Sequence, residues 1–187
     1  QAEAAGLRAL ALASDDVDAL QFMGLLRQVQ GRAGEAEQFY RRSLAIVPAQ
    51  PGVHFNLGML LYGRAKYRDA LAAFADVLKV KPGDCDTLLM CGHSHQAIGN
   101  AAAAEQAFRQ ALDAQPGSIM ARQCLGGLLA DQGRGEEAER LLREALAMNP
   151  RERRQIATLQ QFLGVALKQQ RRSNEALQLF DAAQKTL

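Results

Sequence analysis

The chain has 187 residues, 48% of them apolar, and a formal net charge of +2. That is enough for one ordinary domain with a buried core. Five prolines and 22% charged residues exclude a collagen-like or disordered composition, and no run of roughly 18 apolar residues is present to span a membrane.

Residues 1–16 read as the second helix of a partial unit, with Ala2 and Ala9 in small-residue positions. Four columns then set a period. Pro48, Pro82, Pro116 and Pro150 stand 34 residues apart. So do Gly24, Gly58, Gly92 and Gly126, and Ala36, Ala70, Ala104 and Ala138. Tyr40, Phe74, Phe108 and Leu142 keep the same interval. Gly164, Ala176, Phe180 and Ala183 continue the pattern four residues late. The period divides the chain into units 17–50, 51–84, 85–118, 119–152 and 157–187, with 153–156 as an insertion.

Each unit is expected to be a pair of helices. The first half is apolar at i, i+3 and i+4, as in Leu57, Leu60 and Leu61. A breaker cluster follows, such as Gln30-Gly31-Arg32-Ala33-Gly34 or Asp131-Gln132-Gly133-Arg134-Gly135. The second half resumes the helical period with Ala138, Leu141, Leu142 and Ala145, and a proline stops it. Asp15/Asp16, Asp84 and Ser118 stand where a side-chain oxygen can cap the next helix. Pro51 sits near a first turn, where its missing donor costs nothing. The glycine and alanine columns let paired helices approach. The bulky column is expected to fill the space between neighbouring units, which must stack because none buries its face alone. The insertion Arg153-Arg154-Gln155-Ile156 is about one helical turn. It either lengthens the helix that starts near Pro150 or lengthens a loop.

This pattern resembles the tetratricopeptide repeat, W-x2-L-G-x2-Y, then A-x3-F, then P. Unit 51–84 carries it as Leu57-Gly58, Ala70, Phe74 and Pro82, and unit 85–118 as Cys91-Gly92, Ala104, Phe108, Ala111 and Pro116. The resemblance covers residues 17–187. The Trp column departs from the motif (Leu20, His54, Leu88, Arg122, Gln160), and so does the first-helix Tyr column (Arg27, Leu61, His95, Leu129, Leu167). The resemblance implies an all-α, right-handed α-solenoid of stacked antiparallel helix pairs, with about eleven helices.

The candidates for chemistry are few. His93 and His95 form H-S-H, but at i and i+2 on a helix their side chains point roughly 160–200° apart and cannot share a metal. Cys91 falls in a core column, which suits a buried thiol better than a nucleophile. Cys85 stands near a helix start and Cys124 near the inner face, each without a His in its unit placed as a base. No Ser-His-Asp set, paired acid/base carboxylates, HExxH or phosphate loop is present, so no catalytic residue, metal or cofactor is expected. Arg41-Arg42, Arg151/Arg153/Arg154 and Arg171-Arg172 stand among Glu35, Glu37, Glu152 and Glu175. No face is uniformly basic, so nucleic acid is not an expected partner.

The resemblance implies instead a protein or peptide partner held in a concave groove lined by the first helices. That face maps onto Asp18, Gln21, Phe22, Leu25 and Gln28, then Phe55, Asn56, Met59 and Tyr62, then Asp86, Leu89, Met90, His93 and Gln96. Met120, Gln123, Cys124 and Gly127 follow, then Thr158, Gln161, Phe162, Val165 and Lys168. The partner-binding set expected from it is Gln21, Leu25, Gln28, Phe55, Asn56, Met59, Tyr62, Leu89, His93, Gln96, Gln123 and Gln161. Chaperone-binding members of the family clamp a C-terminal carboxylate with Lys, Arg and Asn. Here the corresponding residues are Gln21, Leu25, Asn56, Asp86 and Met90, so only Asn56 fits. The asparagine ladder of members attached to O-linked sugar transferases reads Phe22, Asn56, Met90, Cys124 and Phe162, again with Asn56 alone. A groove of Met, aromatic and amide side chains suits apolar anchors and backbone hydrogen bonds.

The expected function is therefore that of a protein–protein interaction scaffold. The alternative is the substrate-recognition arm of a larger enzyme, such as a protein glycosyltransferase or sulfotransferase of the kind bacteria carry. The uncapped ends lead to the expectation that the chain is cut from a longer protein, or that both ends meet another surface. Self-association there would use residues near Leu7, Leu10, Leu177, Phe180 and Leu187. A cytoplasmic, reducing location fits three scattered cysteines and a start without a signal-like segment.

Overall fold

A computed structural model describes residues 2–186 and is helical: eleven α-helices and no strand among the described residues. Chain contacts divide it into two compact units, Gln1–Asn100 and Ala101–Leu187.

The first unit holds α1 (Ala2–Leu12), α2 (Val17–Val29), α3 (Ala33–Ile46), α4 (Pro51–Gly63), α5 (Tyr67–Val80) and α6 (Cys85–Ala97). α2 pairs with α3, and α4 with α5. α3 also packs on α4, and α5 on α6, so each second helix lies between the first helix of its own pair and that of the next. The buried side chains Leu20, Met23, Tyr40, Leu61, Phe74 and Val77 form this core. The second unit holds α7 (Ala101–Ala114), α8 (Ile119–Asp131), α9 (Gly135–Ala147), α10 (Arg153–Gln169) and α11 (Ser173–Thr186). It repeats the arrangement through the pairs α8–α9 and α10–α11, with α9 also packed on α10. Residues 153–156 are the first turn of α10.

Helix pairing depends on glycine. A Cβ on Gly24 would lie 2.5 Å from the Tyr40 ring, one on Gly126 2.7 Å from Leu142, and one on Gly164 2.6 Å from Phe180. Gly58 meets the Phe74 ring in the same way. The bulky residue therefore seats on the glycine of its own pair, which the expectation of a filler between neighbouring pairs had not included. The turn after each of α2, α4, α6, α8 and α10 has one left-handed residue. It is Gly31, Gly99 and Gly133 in three turns, at φ 74°, 77° and 80°, but Ala65 and Arg171 in the others, at φ 57° and 62°.

Caps follow the sequence in two of three places. Asp16 accepts from the Ala19 N–H at 3.0 Å and Ser118 from the Ala121 N–H at 3.1 Å. Asp84 instead accepts from the Thr87 hydroxyl at 2.9 Å and makes no side-chain cap bond.

A column absent from the sequence reading ties consecutive pairs. Glu37 is buried on α3 and binds Arg41 at 2.8 Å, Lys66 at 3.5 Å and Arg64, reaching the α4–α5 turn. Glu105 binds Arg109 at 2.8 Å and Arg134 at 2.7 Å. Glu139 binds Arg143 and Arg172, both at 2.8 Å. Glu3 reaches buried Arg27 at 2.8 Å. These glutamates lie on the repeat period, with Leu71 and Leu177 in the same column. The Glu column was therefore readable from spacing alone.

Among the residues expected at the ends, Leu7 and Leu177 are exposed and Leu10 and Phe180 half-buried. Leu187 and the side chain of Ala2 lie outside the described residues. No helix among the described residues is long and apolar enough to cross a membrane.

Candidate functional site

The first unit presents one face of α2, α4 and α6. Phe22 and Leu25 of α2 are exposed, at 43% and 45%. Phe55, Asn56, Met59 and Tyr62 of α4 are half-buried. Phe55 is braced by Phe74, with ring centroids 5.9 Å apart, and Tyr62 meets Tyr67 edge-on at 5.3 Å. These second-helix rings hold the α4 side chains in place and leave their outer surfaces accessible. On α6, Asp86 is exposed, and Met90, His93 and Gln96 are half-buried.

Three of the residues expected to meet a partner have other duties. Gln21 donates its amide to Gln50 Oε1. Gln50 in turn donates to the Ser43 carbonyl at 3.0 Å, so this pair of amides ties α2 to the end of α3. Gln28 accepts the Tyr40 hydroxyl at 2.9 Å. Leu89 is buried at 7% exposure and belongs to the core. The two glutamines share a physical reason. A first-helix position near the edge of the face lies within reach of the second helix or the connecting loop, where the Tyr40 hydroxyl and the Gln50 side-chain amide each pair with the nearest glutamine.

The titratable groups do not form a catalytic set. Burial lowers the His93 pKa, opposed by a hydrogen bond to Gln96, and burial also lowers that of His95. Burial pushes the Cys91 thiol up to about 11, so it stays protonated at neutral pH. Among the described residues, no three His, Cys, Asp or Glu side chains are placed to hold a metal ion.

In the second unit Gln123 is half-buried and Gln161 exposed. Phe162 lies against Gly127, where a Cβ would sit 3.0 Å from the ring. These two residues were mapped as groove-facing, but they pack on each other and bring α8 and α10 into direct contact.

An open depression of about 290 Å³ lies where the start of α4, the end of α5 and the start of α6 meet. Phe55 and Val77 form its apolar wall, and Asn56, Lys81, Asp84 and Asp86 its polar side. Asp84 and Lys81 were not among the residues expected to meet a partner. They lie in the connecting loop, where no first-helix periodicity points to them.

Two family profiles, each described as tetratricopeptide repeat, match residues 55–119 and 96–163. MamA from Desulfovibrio magneticus RS-1 is similar in structure, with TM-score 0.81 and 18% identity over 92% of this chain and 95% of that one. YrrB, described as a TPR protein with an unusual peptide-binding site, has TM-score 0.78 and 19% identity over 97% of this chain and 92% of that one. A curated relative from Hordeum vulgare is the probable UDP-N-acetylglucosamine–peptide N-acetylglucosaminyltransferase SPINDLY. It is 28% identical over 119 residues, 64% of this chain. The match spans 12% of that relative's length.

Proposed function

This chain belongs to the tetratricopeptide repeat family, and from that premise we propose that it is a protein-interaction module that takes up a peptide segment on the α2–α4–α6 face of its first unit. One observation carries the reading. After Gln21, Gln28 and Leu89 are assigned to the fold, Phe22 and Leu25 of α2 remain exposed, and Phe55, Asn56 and Met59 of α4 remain half-buried. Apolar side chains of a partner would anchor on the apolar residues of this group, and Asn56 would pair with a partner peptide group as donor and acceptor. Tyr62, His93 and Gln96 extend the surface. Gln123 and Gln161 would belong to a corresponding surface on the second unit.

The test compares proteins captured from a lysate by this chain and by its Phe55→Ala/Met59→Ala variant. The expected result is loss of a bound partner with the far-UV helical signal retained. Equal capture by both proteins overturns the assignment. The similarity to the Hordeum vulgare transferase is compatible with a recognition arm of a larger enzyme and does not favour it over a separate scaffold. A full-length gene in which an α/β domain follows the array would support the arm.

A further inference from the structure

We propose that the first unit selects peptides in which a cationic side chain stands beside an apolar one, with the cation at Asp86 and Asp84 and the apolar group against Phe55. The proposal rests on the peptide-binding reading above and adds the chemistry of the occupant. The depression at the junction of α4, α5 and α6 supplies both halves of the site within one volume. Its apolar wall is Phe55, fixed by Phe74, together with Val77. Its charged side has two carboxylates, Asp84 and Asp86, against one ammonium, Lys81. Asp86 is exposed, in the first turn of α6. Asp18 is exposed at the matching place on α2, two periods earlier, and brings a further negative charge to the same face.

This charge balance decides between occupants. A segment bearing Lys or Arg meets complementary charge at the rim and keeps it hydrated. An acidic segment or a C-terminal carboxylate would face like charges, with Lys81 alone to offset them. Asn56 lines the same depression and follows Phe55 in the chain, so its amide can pair with the peptide bond next to the anchoring residue. The two side chains of the occupant would therefore be close neighbours along its chain.

A random peptide library displayed on phage tests this against the folded wild-type chain and two variants, with input frequencies as reference. The wild type is expected to enrich Lys or Arg next to an apolar residue, and Asp86→Lys to shift the enrichment to Asp or Glu. Phe55→Ala is expected to lose the apolar preference. A selected peptide, resynthesised with Glu in place of its cation, is expected to bind about fivefold more weakly, as for an exposed ion pair. Asp86→Asn replaces Asp86→Lys if circular dichroism finds the latter unfolded, and it is expected to abolish the charge preference. Apolar enrichment without charge preference, or the same preference in the Asp86 variant, overturns the cation assignment and leaves the peptide-binding reading standing. No enrichment by the folded wild type, or identical selections by wild type and Phe55→Ala, overturns both.

Discussion

The Tyr40 hydroxyl donates to Gln28 Oε1 at 2.9 Å while the Tyr40 ring covers Gly24. One side chain thus joins α3 to α2 twice, by ring packing and by a hydrogen bond. Burial pushes the Tyr40 pKa up to about 12 from its ordinary 10.0. The neutral phenol is the form the fold accepts. Its contribution is complete below pH 10 and declines as pH rises towards 12. Tyr40→Phe is expected to cost about 1 kcal/mol near neutrality, the size of one lost hydrogen bond. It is also expected to flatten the fall in stability over that alkaline window. Urea titrations at a series of pH values measure both effects, and an unchanged alkaline slope would contradict the assignment.

Gly58 lies beneath the Phe74 ring too closely for any Cβ. Gly58→Ala is expected to destabilise by about 1–3 kcal/mol, as overpacking of a tight core does. The cause can be isolated with Phe74→Ala, which removes the obstructing ring. In that background Gly58→Ala is expected to cost far less, giving a coupling of about 0.5–3 kcal/mol in a double-mutant cycle. Strict additivity would show that the glycine has another role.

Ala65 and Arg171 hold φ of 57° and 62° in turns whose counterparts elsewhere in the chain carry Gly31, Gly99 and Gly133. A residue with a Cβ is strained in that region by about 1–2 kcal/mol, and glycine recovers this less its greater unfolded-state entropy. Ala65→Gly and Arg171→Gly are each expected to stabilise by roughly 0.5–1 kcal/mol. Both residues are exposed, so no packing is lost. A lower melting temperature for either variant would count against strain in the turn.

Glu37 is buried among Arg41, Arg64 and Lys66. One period later its counterpart is Leu71, and the counterparts of Arg64 and Lys66 are Ile98 and Asn100. The chain thus carries both a charged and an apolar version of the same junction. Glu37→Leu alone is expected to cost up to about 1 kcal/mol, because the basic side chains, each more than a third exposed, lose a shared acceptor but stay hydrated. Adding Arg64→Ile is expected to restore most of that loss. If the second change deepens the destabilisation, the two versions are not interchangeable.

The proposed binding face was only partly legible in the sequence. Phe55, Asn56, Met59 and Tyr62 follow from the repeat position alone, since the outward side of α4 is set by the helical period. Gln21 and Gln28 stand at equally plausible positions, yet each amide is held by a neighbouring element. Composition gives no sign of this, because an amide serves equally as a surface group and as an internal partner. Lys81 and Asp84 were not assigned to the face for the converse reason: they precede α6, where the helical period gives them no side, and Asp84 was read as a cap.

By itself the sequence determined the repeat, the helix pairs and their packing columns. Those depend on the helical period, on the 34-residue spacing and on residue size, all of which are properties of the linear chain. Tertiary structure decided which polar side chains are held inside and which are left accessible. It also brought Phe55, Asn56, Lys81, Asp84 and Asp86 around one depression. Hydrogen bonds reach across helices, and a residue 12 positions away in the chain, as Tyr40 is from Gln28, becomes a neighbour only when the two helices have packed.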